Sequence, residues 1–235
     1  MGKYFAATLA REGARVALFA RASDALDRTA ADIGANALPV ACDISDPDAV
    51  RAAFEVVEAE FGSLDILVNN AGMSTLGRAW EYSDAAISRQ IGVNFTGPIY
   101  TCRSAVPLLR KSSRPSIVNV SSESVKAPYP MLSVYAAAKM GLEYYTRALR
   151  KELRPFGIRV SILRSGFVAG GEMSTQWDDP ELRDEFLRVA REQGSFIESG
   201  TQGAPAQAMA DALVGLLTMD PALNADIMEL RPLAP

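Results

Sequence analysis

Tyr135 and Lys139, four residues apart in Tyr135-Ala-Ala-Ala-Lys139, are the pair in this sequence whose types and spacing suit proton transfer. On a helix they share one face. An ammonium group there favours phenolate, so it is expected to lower the tyrosine pKa from about 10 towards the range where the side chain works as acid or base. Ser122 stands thirteen positions before Tyr135, at the end of the apolar run Ser116-Ile-Val-Asn-Val-Ser121. A strand ending there would deliver the Ser122 hydroxyl to the start of the helix, where it can hold a carbonyl or alcohol oxygen.

Composition removes several other chemistries. The 235 residues contain no histidine, which excludes Ser-His-Asp and Cys-His nucleophilic machinery and most zinc-hydrolase designs. Ser122 is therefore not read as a hydrolase nucleophile, and no metal site is expected. Cys42 and Cys102 are too few for a disulfide framework or a four-thiolate zinc site, and both lie in apolar stretches that suit buried free thiols. The net charge of −4, without Lys/Arg blocks, argues against a general nucleic-acid or anionic-membrane surface. No apolar run reaches the roughly 20 residues that span a bilayer, and Met1-Gly-Lys-Tyr-Phe5 lacks the layout of a secretory signal. A cytoplasmic location is the resulting expectation.

The elements that must position Ser122, Tyr135 and Lys139 follow from hydrophobic periodicity. Short apolar runs at 15–20, 37–42, 65–69, 116–120, 159–163 and 226–230 alternate with helix-period segments. The latter lie at about 3–12, 24–33, 46–61, 83–111, 131–154, 180–192 and 205–219. This alternation predicts an α/β fold, a single domain over 1–235 with parallel strands and crossover helices. Ser45 or Asp46 suits the N-cap of the third helix, with Pro47 at its first position. The irregular stretch 165–199 follows a strand's C-terminal end, where open α/β sheets place ligand-covering loops.

In a doubly wound sheet, the end of the second strand reads the adenosine ribose: an acid binds a free 2′-hydroxyl, and an arginine accommodates a 2′-phosphate. Counting one strand ahead of the run at 15–20, this chain has Phe19-Ala20-Arg21 there, with Ala20 where an acid would stand. NADP(H) is thus expected over NAD(H).

Asn69-Asn-Ala-Gly72, Val93-Asn94, Ser122 and Tyr135/Lys139, in register, resemble the short-chain dehydrogenase/reductase family from Gly2 to about Pro232. The resemblance implies a Rossmann-type fold and an alcohol/carbonyl oxidoreductase acting on a small molecule. It assigns proton exchange to Tyr135, phenol tuning and ribose binding to Lys139, substrate orientation to Ser122 and support of the proton path to Asn94. It further implies adenine contacts at Asp43 and Ile44, and a ribose-facing turn at Asn70, Ala71 and Gly72. Val168 would hold the nicotinamide amide through its backbone. Helices 83–111 and 131–154 resemble the family's dimer-forming pair, so a homodimer or homotetramer is implied. The tail Asn224–Pro232 and the loop after 166 resemble the branch that oxidises 3-hydroxy acids and serine-like substrates.

Two departures stand out. Ser165-Gly166 replaces the usual Pro-Gly after the sixth strand. At the N-terminus, Gly2 resembles the last glycine of Gly-x-x-x-Gly-x-Gly, so the first strand and most of the phosphate-binding loop are missing relative to the family. A doubly wound sheet lacking its first strand is therefore expected. The competing expectation is a non-catalytic scaffold that has lost its phosphate loop.

Overall fold

The structure, a computed structural model, describes residues 1–127, 129–169, 177, 179–192 and 203–233. Parts of the expected covering loop (170–176, 178 and 193–199) lie outside the described residues.

In chain order the elements begin with α1 (Gly2–Arg11), β1 (Val16–Ala20), α2 (Asp24–Ile33), β2 (Ala37–Ala41) and α3 (Pro47–Phe61). There follow β3 (Ile66–Asn69), α4 (Asp84–Ile91), α5 (Gly97–Leu109), β4 (Ser116–Ser122) and α6 (Ser133–Leu153). The last part comprises β5 (Arg159–Ser165), β6 (Val168–Ala169), α7 (Pro180–Glu192), β7 (Ala204–Pro205), α8 (Ala206–Thr218) and β8 (Ile227–Leu230). The fold is α/β with parallel pairing in each described sheet. Capping explains several starts. Asp46 accepts the Asp48 N–H at 2.8 Å with Pro47 opening α3, and Ser23 and Ser83 cap α2 and α4 in the same way.

The sheet is broken between β1 and β3. One piece is the pair β1-β2, another runs β3-β4-β5-β8, and the short pair β6-β7 stands apart from both. The first two nevertheless share a core: Val40 of β2, Val50 and Phe54 of α3, Leu109 of α5, Ile117 of β4 and Leu153 of α6 pack together. On the opposite face Val118 and Val120 meet Phe5 of α1 and Met209 and Leu213 of α8. The alternation of Ile117 against Val118 and Val120 is the two-residue period of a strand buried on both faces.

One predicted helix is divided. The segment expected as 83–111 is broken by a π-turn at Gly92–Thr96. The Asn94 amide reaches out of the helix, donating to Met73 O at 2.7 Å and Gln90 O at 2.9 Å, while its carbonyl accepts the Met73 N–H at 3.2 Å. A side chain that diverts main-chain bonding in this way is a recognised cause of local widening.

Candidate active site

The site is assembled at the C-terminal ends of β3, β4 and β5. β4 ends on Ser122, whose Oγ accepts the Ser124 N–H at 3.2 Å and whose hydroxyl acts on the Tyr135 phenol to lower its pKa. α6 presents Tyr135 and Lys139 one turn apart, each only 3% exposed. The Lys139 ammonium donates to Val120 O at 2.9 Å and lies 6.0 Å from the Tyr135 ring centroid. The loop after β3 closes the other side. A Cβ at Gly72 would sit 3.1 Å from Asn94 Oδ1 and 3.5 Å from Lys139 Nζ, so glycine lets the backbone approach both. The structure thus brings Ser122, Tyr135, Lys139, Asn94 and Gly72 together.

The electrostatics correct one expectation. The Tyr135 phenol is pushed up to about 12, chiefly by burial, with the Ser122 hydrogen bond opposing and the Glu123 charge adding to the rise. Burial also pulls the Lys139 ammonium down to about 8. Desolvation therefore outweighs the predicted lowering of the phenol by Lys139, because both groups are taken out of water together. The phenol is held protonated.

A stability prediction follows. Lys139 has a lower pKa in the folded protein than its ordinary 10.5, so between about 8 and 10.5 the unfolded chain binds more protons and stability rises with pH. Lys139→Met is expected to be more stable than the wild type at pH 7, with the advantage shrinking as pH rises through that window. Urea midpoints at pH 7 and 10 check this, and an advantage that does not shrink by pH 10 would refute it.

The expected cofactor residues occupy two further places. Asp43 and Ile44 follow β2. The Asp43 carboxylate accepts both the Ser45 N–H (2.9 Å) and hydroxyl (2.6 Å), which holds it below the ordinary carboxylate range, with Arg21 and Arg89 contributing. Arg21 is exposed at the end of β1. Asn70 lies against α1: a Cβ at Gly2 would be 2.9 Å from its Nδ2, and its buried Oδ1 has no protein partner among the described residues. Ala71 is exposed beside it. Val168 is 9% exposed in β6, with its side chain in the core beneath α8.

Sequence reasoning missed Glu123. This carboxylate is 6% exposed directly after Ser122, faces Arg231 at 3.7 Å and lies 3.3 Å from where a Cβ on Gly166 would be. An acid ending an apolar strand was the available signal. Also missed was the buried ion network beyond it, in which Arg164 of β5 bonds Glu143 of α6 at 2.7 and 2.9 Å and Glu229 of β8 at 2.6 Å. It ties the helix carrying Tyr135 and Lys139 to the sheet.

The family profile described as short chain dehydrogenase matches residues 1–182. The chain belongs to the short-chain dehydrogenase family. A Xanthobacter autotrophicus member named inactive 2-(S)-hydroxypropyl-CoM dehydrogenase 2 is 34% identical over 212 residues, 88% of this chain and 89% of its own. The solved 3-ketoacyl-(acyl-carrier-protein) reductase of Brucella melitensis, complexed with NADH, is 28% identical with a TM-score of 0.83 and covers 98% of this chain and 92% of its own. A closed serine dehydrogenase complexed with NADP+ reaches a TM-score of 0.86 over 98% of this chain and 90% of its own. At 23% identity that last likeness is one of fold.

The described residues fit a nicotinamide cofactor of the kind this family uses. Lys139 has three donors and Val120 O as its one hydrogen-bond acceptor among the described residues, leaving donors for ribose hydroxyls. Gly72 leaves open the backbone approach a Cβ would fill, and the Asn70 Nδ2, a donor, lies beside the α1 N-terminus at Gly2, a position suited to phosphate.

Proposed function

We propose that the chain is an NADP(H)-dependent oxidoreductase that interconverts a carbonyl and an alcohol on a small molecule. The observation that carries this reading is the buried Tyr135 phenol, with the Ser122 hydroxyl acting on it and Lys139 one helical turn away. A bound NADPH supplies the hydride to the carbonyl carbon, and NADP+ accepts it back in oxidation. Ser122 holds the carbonyl oxygen, and Tyr135 donates its proton to that oxygen as the alcohol forms. Lys139 stabilises the phenolate left behind until a proton from solvent restores the phenol. Asn94 holds the loop and kinked helix in register and supports the proton path; Val168 offers its backbone to the nicotinamide amide.

Asp43, Ile44, Asn70, Ala71 and Gly72 would hold the adenosine half, and Arg21 would contact the 2′-phosphate. Arg21→Ser is expected to weaken NADPH far more than NADH, losing a charge-assisted contact worth on the order of 1.5–3 kcal/mol. Titration of both cofactors decides it, and equal losses would remove Arg21 from cofactor choice. The same titration, followed by a screen of carbonyls and alcohols, tests the main reading. The α6 face bearing exposed Met140 and Tyr144 supports a homodimer or homotetramer, and the location is read as cytoplasmic.

A second reading is a non-catalytic scaffold. The separation of β1-β2 from β3-β4-β5-β8 favours it, since no described strand joins the two pieces of the sheet. Absence of measurable binding to either cofactor would select it.

A further inference from the structure

Tyr135 is walled by apolar side chains. Its ring packs with Leu76, Tyr129, Met131, Leu132 and Phe186, and Trp177 stacks edge-on to Phe186 with ring centroids 5.1 Å apart. Further contacts fix this wall in place. Arg78 clasps Glu185 of α7 through two contacts of 2.9 Å, and the Trp177 indole donates to Ser74 Oγ at 2.9 Å. Met131 takes a left-handed φ of 65°, and its carbonyl accepts the Tyr82 hydroxyl at 2.8 Å and the Gly77 N–H at 3.1 Å. A non-glycine residue in that conformation persists where its surroundings over-determine it.

Apart from Lys139, whose remaining donors are assigned above to the cofactor ribose, the described cations around the wall are engaged. Arg78 pairs with Glu185 and Glu81, Arg231 with Glu123 and Glu229, and Lys126 with Glu229. Arg183, Arg188 and Arg191 of α7 are exposed, whereas Phe186 and Ala190 of the same helix are buried. The carboxylate buried directly after Ser122 is Glu123, whose charge raises the Tyr135 phenol and whose sign opposes an anion, with Arg231 facing it at 3.7 Å.

We propose that the substrate of this site is a neutral, apolar ketone or secondary alcohol, and that a carboxylate-bearing substrate is rejected. This rests on the oxidoreductase reading above and departs from the 3-hydroxy-acid branch that the tail resembles. Desolvating an unpaired carboxylate beside Glu123 would cost far more than apolar contact returns.

Methyl levulinate and levulinate present the same ketone with and without a negative charge. With NADPH the ester is expected to show a kcat/KM about a hundredfold or more above that of the acid. A second readout is independent of turnover. In a Trp80→Phe variant, which replaces a residue 80% exposed, Trp177 is the remaining tryptophan. At saturating NADP+ its emission should respond to the ester and not to the acid. Equal or better use of the acid in either readout overturns the proposal, as does the absence of any response to the ester in both. An ester that perturbs Trp177 without being reduced upholds the apolar preference and sinks the oxidoreductase reading instead.

Discussion

Tyr135→Phe is expected to lower kcat by about 10²–10⁴-fold, the range lost when a positioned proton donor is removed, while NADP(H) affinity stays near the wild-type value. The ring's packing against Leu76, Leu132 and Phe186 survives the change, and the Lys139 bond to Val120 O does not involve the phenol. Ser122 keeps the Ser124 N–H as a partner, so the variant leaves the turn after β4 intact. The loss should fall on kcat, because the hydroxyl acts on the substrate oxygen as charge develops there. Stopped-flow reduction of a neutral ketone, with cofactor titration alongside, separates the two quantities. A variant retaining most of the wild-type rate would remove Tyr135 from the mechanism.

The parts of this arrangement that depend on local pattern were legible in the sequence. Tyr135 and Lys139 share a face because four residues make about one turn. Ser122 meets Tyr135 because an apolar strand ends there, and Asp46-Pro47 opens α3 by cap chemistry. What escaped depended on tertiary surroundings. The direction of the Tyr135 shift turns on α7 laying Phe186 into the cluster that buries it, and nothing within Tyr135–Lys139 specifies that. The division of helix 83–111 needed Met73, twenty-one positions before Asn94, as a competing partner. Glu123 became part of the site only when Arg231, at the far end of the chain, was folded against it.

Supplying a strand between β1 and β3 is expected to stabilise the protein and strengthen NADPH binding together. The two strands belong to separate sheet pieces, so each has an edge of backbone N–H and C=O groups that no sheet neighbour satisfies. Neighbouring strands lie about 4.8 Å apart, and one inserted strand corresponds to a separation of about 10 Å between those flanking it. An upstream extension of about 15–20 residues is long enough for a strand of typical length and a glycine turn leading into α1 at Gly2. At a net of about 1 kcal/mol per hydrogen bond, a strand of about five residues paired on both edges gains several kcal/mol. For a chain of this size that is roughly 10–20 °C in melting temperature. The glycine turn would also place backbone N–H groups beside Asn70 and the α1 N-terminus, where a pyrophosphate is best held. The effect on binding should therefore exceed what added rigidity alone provides. Thermal unfolding and NADPH titration of the 235-residue chain against the extended one decide the matter. Tight NADPH binding by the shorter chain, with no gain in stability on extension, would mean that the split sheet is already complete in itself.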